Sequence, residues 1–140
     1  MRELSERLIV YEIQRNKSSG TKPVAGFLVV EKLRPQLTTL MGNVGFGALL
    51  LRARALASAE VSWLRKLKIK ADGSFEGLHE IEEEVDAGEI FEGKVALLAQ
   101  LFGLLLAFIG EILTLHLVSE VWPKLPLDDL DFGRRDENEK

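Results

Sequence analysis

A histidine and a glutamate with the spacing of metal ligands lie in an acidic segment of the chain. His79 and Glu83 are four residues apart, so on a helix both side chains share one face and can chelate a metal ion. A third ligand would have to come from elsewhere in the chain. Glutamates fill most of the segment, a composition typical of a solvated helix, and we therefore expect no metal site.

Sequence motifs of catalysis and nucleotide binding are absent. The chain has no cysteine, and it lacks a nucleophile elbow, a Walker loop and a dinucleotide fingerprint. Gly42, Gly45 and Gly47 precede a helical pattern, but they follow no predicted strand and lack the lysine of a phosphate loop. His116 lies in an apolar run, where we expect a structural histidine. The sequence thus predicts no catalytic residue and no cofactor, and it favours a protein that is not an enzyme.

Length and charge narrow the function classes further. The chain has 140 residues and a net charge of −4, which argues against nucleic-acid binding because that function favours a basic face. Its charged N-terminus lacks the apolar core of a signal peptide, so we expect a cytoplasmic location. We assign residues 1–124 to a single helical domain and residues 125–140 to an acidic, flexible tail.

The most apolar stretch of the chain, Val95–Trp122, is closed by Pro123. Between Ala96 and Val118, polar side chains occur only at Gln100, Glu111, Thr114 and His116. A helix this apolar must be surrounded by other helices or by lipid. The sequence therefore predicts an all-α fold, a helical bundle wrapped around one long C-terminal helix at about residues 95–122.

The same stretch is long enough to cross a membrane, which needs roughly 20 residues. Glu111 lies inside it, and no cluster of lysine or arginine flanks it. A single spanning helix would also leave the apolar stripes of the remaining helices uncovered. We therefore favour the soluble bundle, with a membrane-associated accessory protein anchored by helix 95–118 as the alternative.

Helices near the N-terminus are predicted to wrap the central one. Residues 4–17 place Leu4, Leu8, Ile9 and Ile13 on one helical face and Glu12 among the residues that can face water. A strand over residues 7–13 is the alternative, because its residues favour β structure. A second helix is predicted over Val24–Leu33, with a break or kink near Leu33–Arg34 caused by Pro35.

A third helical pattern covers Val44–Leu67, with an apolar stripe at helical spacing formed by Phe46, Leu49, Leu50, Ala53, Ala57 and Leu64. The glycines at its start predict either a loose first turn or the close approach of another backbone. Beyond it, alternating lysines followed by Asp72–Gly73 indicate a small hairpin that returns over Phe75–Leu78.

Two features of the central helix predict contacts. Ala99, Gly103, Ala107 and Gly110 form a stripe of small residues that lets another helix approach closely. We expect a homo-oligomer, formed through this stripe or through the outer face of Val24–Leu33. Glu111 is expected to form a buried ion pair with Arg52, because an isolated buried charge is very costly.

The tail interleaves acids with apolar residues, among them Leu127, Leu130 and Phe132. Such segments can bind a partner by folding on contact. Together these features predict a non-catalytic interaction protein, a small helical adaptor or regulatory subunit that self-associates and binds a protein partner. A small-ligand sensor with a pocket beside Gly103 is a further alternative.

Overall fold

The computed structural model describes residues 2–16 and 25–124. Its elements are the helices α1 (Arg2–Asn16), α2 (Ala25–Ala57), α3 (Leu78–Glu84) and α4 (Ala87–Val121), a short 3-10 helix (Ser62–Lys66), and the strands β1 (Lys68–Ile69) and β2 (Phe75–Glu76). The predicted all-α bundle with a long, apolar C-terminal helix is confirmed. The tail lies outside the described residues.

The two long helices α2 and α4 run antiparallel and form the centre of the bundle. Lys32, in the first half of α2, and Trp122, just after α4, both bond to Glu12 of α1. At the other end, Trp63 follows α2 and packs on Gly93 near the start of α4. Helix α1 packs against both long helices, so the core lies between three helices.

Helix α1 follows the predicted apolar period. Leu4, Leu8 and Ile9 are buried in the core, and their spacing matches one helical face. The alternative strand over residues 7–13 is wrong. One predicted position differs, because Glu12 is buried rather than turned to water.

Helix α2 passes through Pro35, where a break was predicted near Leu33–Arg34. The predicted break does not occur, because the proline lies inside the helix and α2 departs from helical φ and ψ only at Gly42. A proline removes one backbone hydrogen bond. Leu33 and Leu37 lie one turn apart on either side of Pro35, and both are fully buried. Their burial holds this part of α2 in the core despite the missing hydrogen bond.

A glycine kinks each long helix. Gly42 has φ 79° and ψ 167°, and Gly110 has φ 90° and ψ 167°. Positive φ is strained for residues with a Cβ atom, so glycine suits both positions. Met41, beside the α2 kink, and Phe108, near the α4 kink, line the same groove between the two helices. The hydroxyl of Thr114 donates to the carbonyl of Gly110 at 2.7 Å, one of the carbonyls beside the α4 kink.

The segment after α2 differs in part from prediction. The helix ends at Ala57, earlier than the predicted Leu67, and Leu64 is buried from the 3-10 helix instead. The small hairpin is confirmed, with Ile69 opposite Phe75. Gly47 of α2 lets this hairpin approach, because a Cβ there would overlap the carbonyl oxygen of Ala71.

Helix α4 begins at Ala87, eight residues before the predicted start at Val95. Asp86 caps it by accepting a hydrogen bond from the backbone N–H of Gly88 at 3.0 Å. A carboxylate at this position also suits the positive end of the helix dipole. The acidic helix α3 ends at Glu84, so only two residues separate it from α4.

Candidate interaction surface

Large apolar side chains are exposed around the two kinks. Val44 is 75% exposed, Phe108 68% and Ile112 82%. We call this region the kink surface and define it by Leu40, Val44, Phe108, Ile112 and Leu113. Each of the five lies within three residues of Gly42 or Gly110. Exposed apolar residues are common singly, but a cluster of them marks a contact site.

A groove of about 540 Å³ lies beside the kink surface, between α2 and α4. Its lining residues are Met41, Gly45, Ala48, Leu49, Arg52, Leu104, Ala107 and Phe108. Gly45, Ala48 and Ala107 are small and leave the groove open. The flexible side chain of Met41 can adapt to apolar groups of different shapes. Arg52 is the charged residue of this lining. The groove is thus lined by apolar and small residues with one guanidinium.

The small-residue stripe of α4 is not used for tight helix packing inside the chain. Ala99 and Gly103 are half-buried and Ala107 is exposed, and a Cβ added to Gly103 would meet no atom within 4 Å. Gly110 serves as the kink of α4. Self-association through this stripe stays a prediction. On the other predicted contact face, residues 24–33, the side chains of Val29, Val30 and Leu33 are buried within the chain.

The ion pair between Glu111 and Arg52 also stays a prediction, but its expected setting changes. Arg52 is exposed and Glu111 is half-buried, so a pair between them would lie at the surface rather than in the core. Exposed pairs contribute only about 0–1 kcal/mol.

The fully buried carboxylate of the bundle is instead Glu12, whose side chain is 1% exposed. Its Oε2 atom accepts hydrogen bonds from the ammonium of Lys32 at 2.7 Å and from the indole N–H of Trp122 at 2.8 Å. These contacts join α1, α2 and the end of α4. A buried charge is tolerated only with such partners, so the cluster has a structural role.

Lys94 is a second nearly buried charge, with its ammonium 3.7 Å from a carboxylate oxygen of Glu82. Burial lowers the pKa of Lys94 below its ordinary value of 10.5, and the charge of Glu82 offsets this only in part. The unfolded chain therefore binds more protons than the folded one at pH values just below 10.5. Stability should rise with pH in that window.

We expect Lys94→Met to be neutral or stabilising near pH 7, where the charged ammonium is most costly to bury. Raising the pH toward 10 should stabilise the wild type relative to the variant. Urea unfolding of both proteins at the two pH values checks this. A stability difference that does not change with pH would contradict the role assigned to burial.

The residues considered for chemistry are not brought together. Glu83 is exposed, the side chain of His79 lies outside the described part, and no metal-binding group of three or more His, Asp or Glu occurs among the described residues. His116 is exposed and pairs with Glu120 at 3.3 Å. Lys66, in the basic segment, lies 3.7 Å from Glu84 of the acidic helix. The tail residues Leu127, Leu130 and Phe132 lie outside the described residues.

Within the described residues, α4 alone is long and apolar enough to cross a membrane. Only 39% of its most apolar 18-residue window is buried inside the chain. The first part of the helix is covered by α1 and α2, and the uncovered side chains gather near the Gly110 kink. Exposed apolar surface of this kind can mark a site of contact with protein or with lipid.

The sequence predicted that the apolar surface of α4 is surrounded by other helices or by lipid, but it did not predict which part of α4 is exposed. The signal was the apolar character of α4 on all sides, which a three-helix core cannot fully cover. The kink at Gly110, near the exposed Phe108 and Ile112, had no such signal, because glycines inside apolar runs also occur at ordinary helix contacts. Comparison with protein-family models, with curated proteins and with solved structures found no match to this chain.

Proposed function

We propose that this protein is a non-catalytic interaction protein, a small helical adaptor or regulatory subunit that self-associates and binds a protein partner. The observation that carries the proposal is the kink surface with its adjoining groove. Apolar side chains as exposed as Ile112 and Val44 gain free energy when a partner removes them from water. Substitution of such exposed residues should change the stability of the isolated protein little. A loss of binding in a variant therefore reports the loss of the contact itself.

Affinity capture from the cells that naturally express the chain tests the proposal. Tagged wild type should recover a defined partner protein, and Ile112→Asp should lose it, because a charge placed in an apolar contact is desolvated without a partner. Val10→Asp is the control, since Val10 is also exposed but lies on α1, away from the kinks. Recovery that is the same for all three proteins would contradict an interaction through the kink surface.

A second candidate function is that of a membrane-associated accessory protein held by α4. Its support is the length of α4 and the large unburied share of its most apolar window. High-speed centrifugation of a detergent-free extract separates the two candidates. The adaptor is expected in the supernatant, whereas partition into membranes that survives carbonate washing would favour the membrane protein.

A further inference from the structure

We infer that Gly42 and Gly110 form a hinge through which the two long helices bend together, and that α1 sets the angle of this hinge. Loosening of α1 lets both α2 and α4 straighten. The kink surface lies on both sides of the hinge, so its shape follows the hinge angle. The inference rests on the proposed function, because it assigns a regulation to the surface that carries that function.

The backbone at the two glycines is the first argument. Both have positive φ together with a ψ of 167°, a conformation that is nearly exclusive to glycine and that clusters at switch regions. Glycine also adopts helical angles, so the same sequence permits a kinked and a continuous helix at each position. Hinges are residues that absorb a large change of φ and ψ in this way.

The surroundings of the two glycines leave room for such a change. A Cβ added at Gly42 or Gly110 would meet no atom within 4 Å, whereas one added at Gly47 or Gly93 would overlap another element. Gly42 is exposed and Gly110 is half-buried, so water can bond to the backbone groups that lose helical partners at the kinks. The kinked and continuous forms therefore differ less in free energy than they would at a packed position.

The first end of α1 contacts both long helices on one side of the hinge. The guanidinium of Arg2 lies 3.5 Å from a carboxylate oxygen of Glu60, just after α2, and 2.9 Å from one of Glu92, near the start of α4. Along the chain, the first of these contacts follows the α2 kink and the second precedes the α4 kink.

The second end of α1 contacts both long helices on the other side of the hinge. The buried carboxylate of Glu12 accepts hydrogen bonds from Lys32, which precedes the α2 kink, and from Trp122, which follows the α4 kink. Helix α1 is thus bound on both sides of each kink. Because a change of angle in either long helix would move these contacts apart, α1 holds the angle and links the bending of α2 to that of α4.

The hinge divides the kink surface. Leu40 and Val44 lie on opposite sides of the α2 kink. Phe108 and Ile112 lie on opposite sides of the α4 kink. A change of angle therefore moves the two members of each pair relative to each other. A partner that binds one arrangement of this surface favours the hinge angle that produces it, and the angle in turn sets the affinity.

Spin-label distances measured by double electron–electron resonance on the full chain test the hinge. The chain has no cysteine, so labels attach only at introduced cysteines in exposed positions, Glu89→Cys with Ser119→Cys for α4 and Gln36→Cys with Ala55→Cys for α2. A straight helix rises about 1.5 Å per residue, so these separations of 30 and 19 residues correspond to about 45 and 28 Å. Wild type should give shorter distances with narrow distributions.

Gly110→Ala is the main variant. Alanine is strained at positive φ and favours the continuous helix, so the α4 distance should shift toward about 45 Å. The α2 distance should lengthen as well, because α1 links the two helices. Gly103→Ala is the matched control, since its added Cβ also meets no atom within 4 Å and the position is not a kink. Both distances should then equal those of wild type.

Glu12→Ala tests the role of α1 without a change at either glycine. Loss of the bonds to Lys32 and Trp122 loosens one end of α1, so both distance distributions should broaden and shift to longer values. Glu3→Ala is its control, because the pair of Glu3 with Arg7 lies within α1, and both distributions should match those of wild type. If circular dichroism shows that Gly110→Ala does not fold, Gly42→Ala read on the α4 pair takes its place.

Three results would overturn the inference. They are an α4 distance that the kink variant leaves unchanged, an α4 distance that shifts while the α2 distance does not, and distributions in Glu12→Ala that equal those in Glu3→Ala. If the inference fails in this way while Ile112→Asp loses the captured protein, the proposed function stands. If the distances shift as expected while Ile112→Asp recovers as much protein as wild type, the hinge stands and the proposed function fails.

Discussion

Replacement of Glu12 by alanine should lower the free energy of unfolding by about 2–4 kcal/mol. The change leaves the indole N–H of buried Trp122 without its acceptor and removes the partner of the Lys32 ammonium. Lys32 is 37% exposed, so water can solvate part of its charge, which keeps the loss below that of a fully buried pair. Urea unfolding measured by circular dichroism checks the value.

Glu3→Ala is the matched control, because Glu3 lies on the same helix and forms an exposed pair with Arg7 at 3.4 Å. It should cost under about 0.5 kcal/mol. Glu12→Gln keeps an oxygen acceptor for Trp122 and should fall between the two. A loss for Glu12→Ala as small as that for Glu3→Ala would show that the buried cluster does not hold the three helices together.

Helical periodicity was enough to predict the bundle. Leu4, Leu8 and Ile9 recur at helical spacing, and so do Phe46, Leu50, Ala53 and Ala57 further along, and all seven are buried. The small hairpin was also predictable, because Asp72–Gly73 is a strong turn signal and alternating residues flank it. These features depend on neighbours in sequence, which is the information that periodicity carries.

The errors came from contacts between distant residues. Glu12 looked like a surface residue of α1 because glutamate is rarely buried, and its burial depends on Lys32 and Trp122 from other elements. Pro35 predicted a break by a local rule, whereas burial of Leu33 and Leu37 keeps the helix continuous. In both cases tertiary packing outweighed a local preference.

The candidate surface was predictable only in part. The apolar character of α4 predicts that most of the helix is covered, and this much follows from composition. The position of the candidate surface follows from the paired kinks at Gly42 and Gly110. A glycine permits positive φ but does not require it, so the sequence did not indicate that α4 bends at Gly110.

The substitution Gly93→Ala should destabilise the protein by about 1–3 kcal/mol. A Cβ at this position would overlap the indole ring of Trp63. That ring has little room to move, because Trp63 is buried and its indole N–H donates to the carbonyl of Glu89 at 2.8 Å. The overlap should outweigh the roughly 0.5–1 kcal/mol by which alanine is favoured over glycine inside a helix.

Gly103→Ala on the same helix gives the matched control with the opposite sign. No atom lies within 4 Å of its added Cβ, so the helix preference of alanine should act alone and stabilise the protein by about 0.5–1 kcal/mol. Urea unfolding of both variants measures the contrast. In a Trp63→Leu background the Gly93→Ala penalty should shrink, because the smaller side chain leaves space for the methyl group. If Gly93→Ala instead stabilises the protein as much as Gly103→Ala does, the packing of Trp63 against α4 is not as the structure shows.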